Sequence, residues 1–227
     1  ATEFTYDSTH GGVLTITRPA PTTGAVRPQT RYSYTLTNGE HQLTGISECQ
    51  TLASCSGTAD EVKTTLAYDV HGNVRSIAKG NGTGSLTAIQ TMTYDGKGDL
   101  LTVDGPLPGT ADTTIYHYDA ARRVAGRALP DPDGGAAKLQ HSAFQVKYDA
   151  SGRPWLTQIG TMTSESGQWG HFNEAFHEFS LYDSNSRIVR KTLWSNNVDY
   201  AVSDYLYDAA GSPTCSIEYM DPAQWGP

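Results

Sequence analysis

The chain holds 227 residues, 37 % of them hydrophobic and 18 % charged, with a formal net charge of −8. That acidic balance argues against binding to nucleic acid or to an anionic membrane surface, either of which needs a basic face. No apolar run approaches the roughly 18 residues of a membrane-spanning helix, so no membrane insertion is expected, and 23 glycines with 11 prolines suit a turn-rich, all-β chain.

Residues 1–30 hold Tyr6-Asp7, with Phe4 two positions earlier and His10-Gly11-Gly12-Val13 after it, then a proline-rich link, Arg18-Pro19-Ala20-Pro21. Residues 31–67 hold Tyr32-Ser33-Tyr34, followed by Gly39 and Leu43, which reads as a worn copy centred on Tyr34 and lacking the Asp. Cys49 and Cys55 bracket a short loop in the same stretch. They read as a disulfide contributing about 2 kcal/mol and made in an oxidising compartment, or alternatively as two reduced thiols. Zinc is not expected, because the spacing is not Cys-x₂-Cys and no further ligands stand nearby. Cys215 reads as a small buried residue on a strand.

The most regular part follows. Tyr68-Asp69-Val70-His71-Gly72-Asn73-Val74 recurs as Tyr94-Asp95-Gly96-Lys97-Gly98-Asp99-Leu100. Gly80-Asn81-Gly82-Thr83-Gly84-Ser85 is a turn and not a phosphate loop, since it lacks the Gly-Lys-Ser/Thr ending. Gly57-Thr58-Ala59-Asp60 recurs as Gly109-Thr110-Ala111-Asp112, each time before a strand ending in Tyr-Asp. Tyr118-Asp119, Tyr148-Asp149 with Gly152, Tyr182-Asp183, and Tyr207-Asp208 with Gly211 continue the series. Arg122 and Ser186 stand in the Gly position of two copies, and Pro154 and Pro213 in the aliphatic position of two others; these hairpins are expected to be bulged or looser. Asp131-Pro132-Asp133-Gly134-Gly135 reads as a tight turn, lacking the remaining positions of a calcium loop.

An apolar or aromatic residue precedes most motif tyrosines by two positions, and positions i and i+2 share one face of a strand. The Tyr should close a strand, the Asp side chain should accept a backbone N–H two residues on, and the Gly should supply positive φ. Each unit is then a β-hairpin with a four-residue loop. From Tyr68 the motif recurs every 24 to 34 residues or so, which marks a repeat array. About eight hairpins should form a continuous, curved antiparallel sheet, with the tyrosines stacked in a row across adjacent strands. The array is expected to occupy 1–227 as a single domain, with less regular insertions at about 44–64 and 156–180. Neither end reads as a capping unit, so a segment of a longer protein is expected.

Tyr-Asp-x-x-Gly-x-Leu/Val at such intervals resembles the RHS, or YD-repeat, family: polymorphic-toxin carriers, the C components of Tc insecticidal toxins, and the teneurins. The resemblance covers nearly the whole chain. It implies a sheet that spirals into a hollow shell, which encloses a toxic domain in the toxin members and serves as an adhesion scaffold in teneurins. It also implies a secreted or cell-surface location. The self-cleaving Asp-Pro-x-Gly core of the toxin carriers has no good counterpart: Asp131-Pro132-Asp133-Gly134 lies mid-array, and Asp221-Pro222 is followed by Ala-Gln. No protease activity is carried over.

The leading functional reading is a structural shell segment whose partners are other repeats of the same shell and an enclosed or attached polypeptide. The alternative is an extracellular adhesion or carbohydrate-binding module using Trp155, Trp169 or Trp194 on glycans. An enzyme is not expected. His171, Glu174 and His177 would share a face on a helix, but not in the zinc-protease order, and the phenylalanines around them fit packing on a sheet. No catalytic residue, cofactor or metal is assigned.

Overall fold

Seven strands of the chain end on a motif tyrosine, and in every case the return strand begins on the residue in the aliphatic position. The computed structural model describes residues 1–52, 54–131, 140–162, 172–195 and 198–219, and among them it is all-β, with sixteen strands and antiparallel pairing. The chain divides into two compact units, Ala1–Pro106 and Leu107–Pro227.

The first unit contains β1 (Glu3–Tyr6), β2 (Val13–Thr17), β3 (Gln29–Thr37), β4 (Glu40–Cys49), β5 (Glu61–Tyr68), β6 (Val74–Asn81), β7 (Thr87–Tyr94) and β8 (Leu100–Asp104). The second contains β9 (Thr114–Tyr118), β10 (Val124–Ala128), β11 (His141–Tyr148), β12 (Pro154–Met162), β13 (Phe172–Tyr182), β14 (Ile188–Ser195), β15 (Val198–Tyr207) and β16 (Pro213–Tyr219). Within each unit the strands pair in sequence order, as expected for an array of hairpins. The expected hairpin repeat is therefore the architecture of both units.

Every hairpin carries the same irregularity. Ala67 faces Ser76 while Tyr68 faces Val74, so Arg75 is an extra residue. The same shift leaves Leu101, Trp155, Val189 and Thr214 unpaired beside their tyrosines. Bulging is thus a property of the regular copies too, and it sharpens local twist. The variant copies are not looser. Arg122 and Ser186 adopt φ of 64° and 63°, the same left-handed region in which Gly72 sits at 86°. Pro154 and Pro213 are each the first residue of a strand, where a proline is tolerated.

The worn copy departs in another way. Tyr34 still faces Leu43, but the hairpin runs on through Thr37 and Glu40. It closes at Asn38 and Gly39, both at positive φ, the two-residue turn favoured for hairpins.

The two faces of the first unit differ in kind. Its tyrosine face pairs Phe4 with Ile16, Tyr32 with Ile46, Leu66 with Ile77 and Met92 with Val103. The opposite face carries the registered row Ser33, Gly45, Thr65, Ala78 and Ile89. In the second unit the buried cluster is Ala128, Ala143 and Met162, with Ile115 and Phe172 packed against it. Few side chains are fully buried, so much of the cohesion must come from strand ladders and contacts between neighbouring hairpins.

Candidate functional site

The loop chemistry is uniform. The Asp69 carboxylate oxygen Oδ1 accepts the N–H groups of His71 and Asn73 at 2.8 and 2.9 Å, while its backbone N–H donates to the Asn73 carbonyl at 2.9 Å. Asp95, Asp119, Asp149 and Asp183 repeat the bond to the residue two positions on, at 2.8 to 2.9 Å. Asp208 accepts the Ser212 N–H at 2.8 Å. In the first copy Asp7 accepts the Thr9 N–H at 2.7 Å. Hydrogen bonds of this kind hold several of these carboxyls below the usual range: the Asn73 side chain leads for Asp69, and the Thr9 N–H for Asp7.

The tyrosines do something the sequence reading did not foresee. Six of the hydroxyls donate to a backbone carbonyl in the preceding hairpin, at the residue in the aliphatic position. Tyr34 bonds Val13 at 3.1 Å, Tyr68 bonds Leu43 at 2.7 Å, and Tyr94 bonds Val74 at 2.8 Å. Tyr148 bonds Val124 at 2.9 Å, Tyr182 bonds Pro154 at 2.8 Å, and Tyr207 bonds Ile188 at 2.8 Å. The bulge interrupts the ladder at that place, and the phenol acts as a staple between hairpins.

A cation completes the link in the second unit. Arg123, Arg153 and Arg187 each donate from Nε to Oδ2 of their own motif Asp at 2.7 Å. The same guanidinium groups lie over the next tyrosine ring: Arg123 over Tyr148 at 4.2 Å, Arg153 over Tyr182 at 4.6 Å, and Arg187 over Tyr207 at 4.7 Å. The expected ring-on-ring tyrosine row is corrected here, because the space over these rings is filled by guanidinium groups. In the first hairpin His10 takes the arginine's place, 3.5 Å from the Asp7 carboxylate and packed edge-on to Tyr34 at 4.8 Å. The signal for this link was the arginine after the Gly position in three copies, a position that the pattern Tyr-Asp-x-x-Gly-x-Leu/Val leaves free.

The other sequence candidates fall as follows. Cys49 and Cys55 are joined, with Cα atoms 5.5 Å apart, and both are buried. Their sulfurs lie near the Asp60 carboxylate, which is already engaged by Thr51 and Leu52. Cys215, expected to be buried, is exposed, because β16 pairs only with β15 among the described residues. Glu174 and His177 lie on a strand and not on a helix, and are in direct contact. His171, Trp169, Asp221, Pro222 and residues 132–135 fall outside the described residues.

The geometry defines a class: within each unit, an antiparallel array of Tyr-Asp-type hairpins in which the motif tyrosine staples a hairpin to the one before it. The fold is that of RHS-repeat shells in Tc toxin structures. A crystal structure of TcdB2-TccC3-Cdc42 matches over 98 % of this chain at 15 % identity with a TM-score of 0.62. A Tc holotoxin pore from Photorhabdus luminescens matches over 96 % at 16 % identity and 0.65. TcdB2-TccC3 without its hypervariable C-terminal region matches over 98 % at 16 % identity and 0.62. The likeness is one of fold, and the present chain spans only 10 to 11 % of the length of those solved chains. No family model and no curated protein matches the sequence.

Proposed function

We propose that this chain is a wall segment of a secreted or cell-surface RHS-type shell that holds or presents another polypeptide. The observation that carries the reading is the phenol staple: in hairpin after hairpin the motif residues are engaged in binding the neighbouring repeat, the task of a wall. The tyrosine face of the first unit, with Phe4, Ile16, Tyr32, Ile46, Leu66, Ile77, Met92 and Val103 half-buried or exposed, supplies apolar surface for an enclosed chain. The role asks no reaction of the chain.

Hydroxyl-radical footprinting of the native full-length gene product tests it. In a wall segment, Met92 and Leu66 are expected to be protected relative to the isolated chain, while Thr65 and Ile89 on the other face keep their reactivity. Equal reactivity of Met92 and Leu66 in both preparations would count against a shell enclosing a polypeptide on that face.

A further inference from the structure

Three neighbouring strands of the first unit leave a hollow on the face opposite the motif tyrosines. Arg31 of β3 lies opposite Ser47 of β4, and Ser47 lies opposite Lys63 of β5. In the next row of the same face Ser33 lies beside Gly45, and Gly45 beside Thr65. The central strand thus offers only a serine and a glycine between two long cationic side chains, whose backbones stand two strand spacings, about 10 Å, apart. The result is a cavity of about 350 Å³ lined by Arg31, Ser33, Gly45, Ser47, Glu61 and Lys63, among others. A Cβ on Gly45 would take up its floor, 2.4 Å from Ser33 Oγ.

The repeat asks for neither cation. Arg31 stands three residues before Tyr34, and the same place before Tyr68 and Tyr94 is held by Thr65 and Thr91. The third charge in the hollow is Glu61, only 3 % exposed, which accepts from the Ser47 hydroxyl and from the Gly57 N–H. Burial opposes its charge, but those two bonds, with Lys63 and then Arg31 nearby, hold its carboxyl below the usual range. Two cations and one carboxylate leave the hollow one net positive charge. Lys63 is exposed, and its amine has no hydrogen bond or ion pair among the described residues. Arg31 Nη1 lies 3.6 Å from Cys49 Sγ, which places the guanidinium at the cystine end of the hollow.

We propose that this hollow binds a small organic monocarboxylate. Its volume falls at the lower end of the range of small-molecule sites, about 300–1,000 Å³. The Lys63 amine and the Arg31 guanidinium are charged donors, and bonds from such groups to a carboxylate are among the strong ones. Their methylene stems flank the apolar body of the ligand. The fixed Glu61 charge offsets one cation, so a second negative charge on the ligand is not compensated. The proposal does not rest on the wall-segment reading.

The test is calorimetric titration of the 227-residue protein with benzoate at millimolar concentration, and with benzamide as its uncharged counterpart. Saturable benzoate binding is expected, weakening as salt is added, with none for benzamide. Lys63→Gln, at an exposed position, should weaken benzoate binding about tenfold, the worth of one charge-assisted hydrogen bond, with an unchanged unfolding midpoint. Lys63→Arg should restore most of the affinity. Lys79→Gln, which removes the same charge from the tyrosine face of β6, should leave it unchanged. The proposal is overturned by absence of saturable benzoate binding, by equal binding of benzamide, by wild-type affinity in Lys63→Gln, or by binding confined to acidic peptides.

Discussion

The hydroxyl of Tyr94 donates to the carbonyl oxygen of Val74 across 2.8 Å, tying the hairpin of β7 and β8 to the one before it. Burial and the nearby Asp69 charge raise the phenol's pKa, so the proton that makes the staple is held. Tyr94→Phe keeps the ring and removes the bond, and should lower stability by about 1 kcal/mol. Tyr94→Ala also removes a half-buried ring and should cost about 2 kcal/mol or more. Urea unfolding checks both, and a Phe variant with the wild-type midpoint would mean the staple contributes nothing.

The backbone at Ser186 and Arg122 makes a second prediction. Both hold left-handed φ that only glycine adopts at no steric cost. Ser186→Gly should therefore stabilise the chain by about 0.5–1 kcal/mol, the strain relieved less the entropy glycine adds. The converse change, Gly98→Ala, should destabilise by about 1 kcal/mol, even though the nearest atom to the new Cβ would be Asn73 Oδ1 at 3.9 Å. Thermal midpoints moving the other way would refute the strain argument.

Much of this architecture was legible because strand, turn and glycine chemistry are local. Tyr68, Asp69, Gly72 and Val74 lie within one hairpin, and their roles follow from period and φ alone. The phenol staple was not legible, since Tyr68 finds Leu43 in another hairpin and a hydroxyl gives no sign of its acceptor in sequence. Cys215 was misplaced because a strand pattern does not say which strand lies uncovered. Arg153 was passed over because its two partners, Asp149 and Tyr182, stand on opposite sides of it in the chain.

Reduction should reach one site selectively. The ring closed by Cys49 and Cys55 ties the end of β4 to the loop before β5, and in the chain-entropy view it adds about 2 kcal/mol. Unfolding with and without a thiol reductant, and with Cys49→Ala together with Cys55→Ala, should show that loss. Cys215→Ser, at an exposed free thiol, should leave the midpoint unchanged.

Acid should loosen the second unit through its Asp–Arg links. The Arg123 side chain lowers the pKa of Asp119; the backbone N–H of Arg153, then its side chain, lowers that of Asp149; and Arg187 acts likewise on Asp183. A carboxyl with a depressed pKa in the folded state binds fewer protons there than in the unfolded state. Its stabilisation is complete above the unfolded pKa of about 3.9 and is lost as pH falls through the lower folded value. Urea midpoints should thus be insensitive to these groups from neutral pH to about pH 5, then drop below about pH 4. Asp149→Asn keeps an acceptor for the Arg153 N–H but cannot be protonated, so it should start lower at neutral pH and show a shallower acid slope. An acid slope as steep as that of the wild type would place the sensitivity elsewhere in the chain.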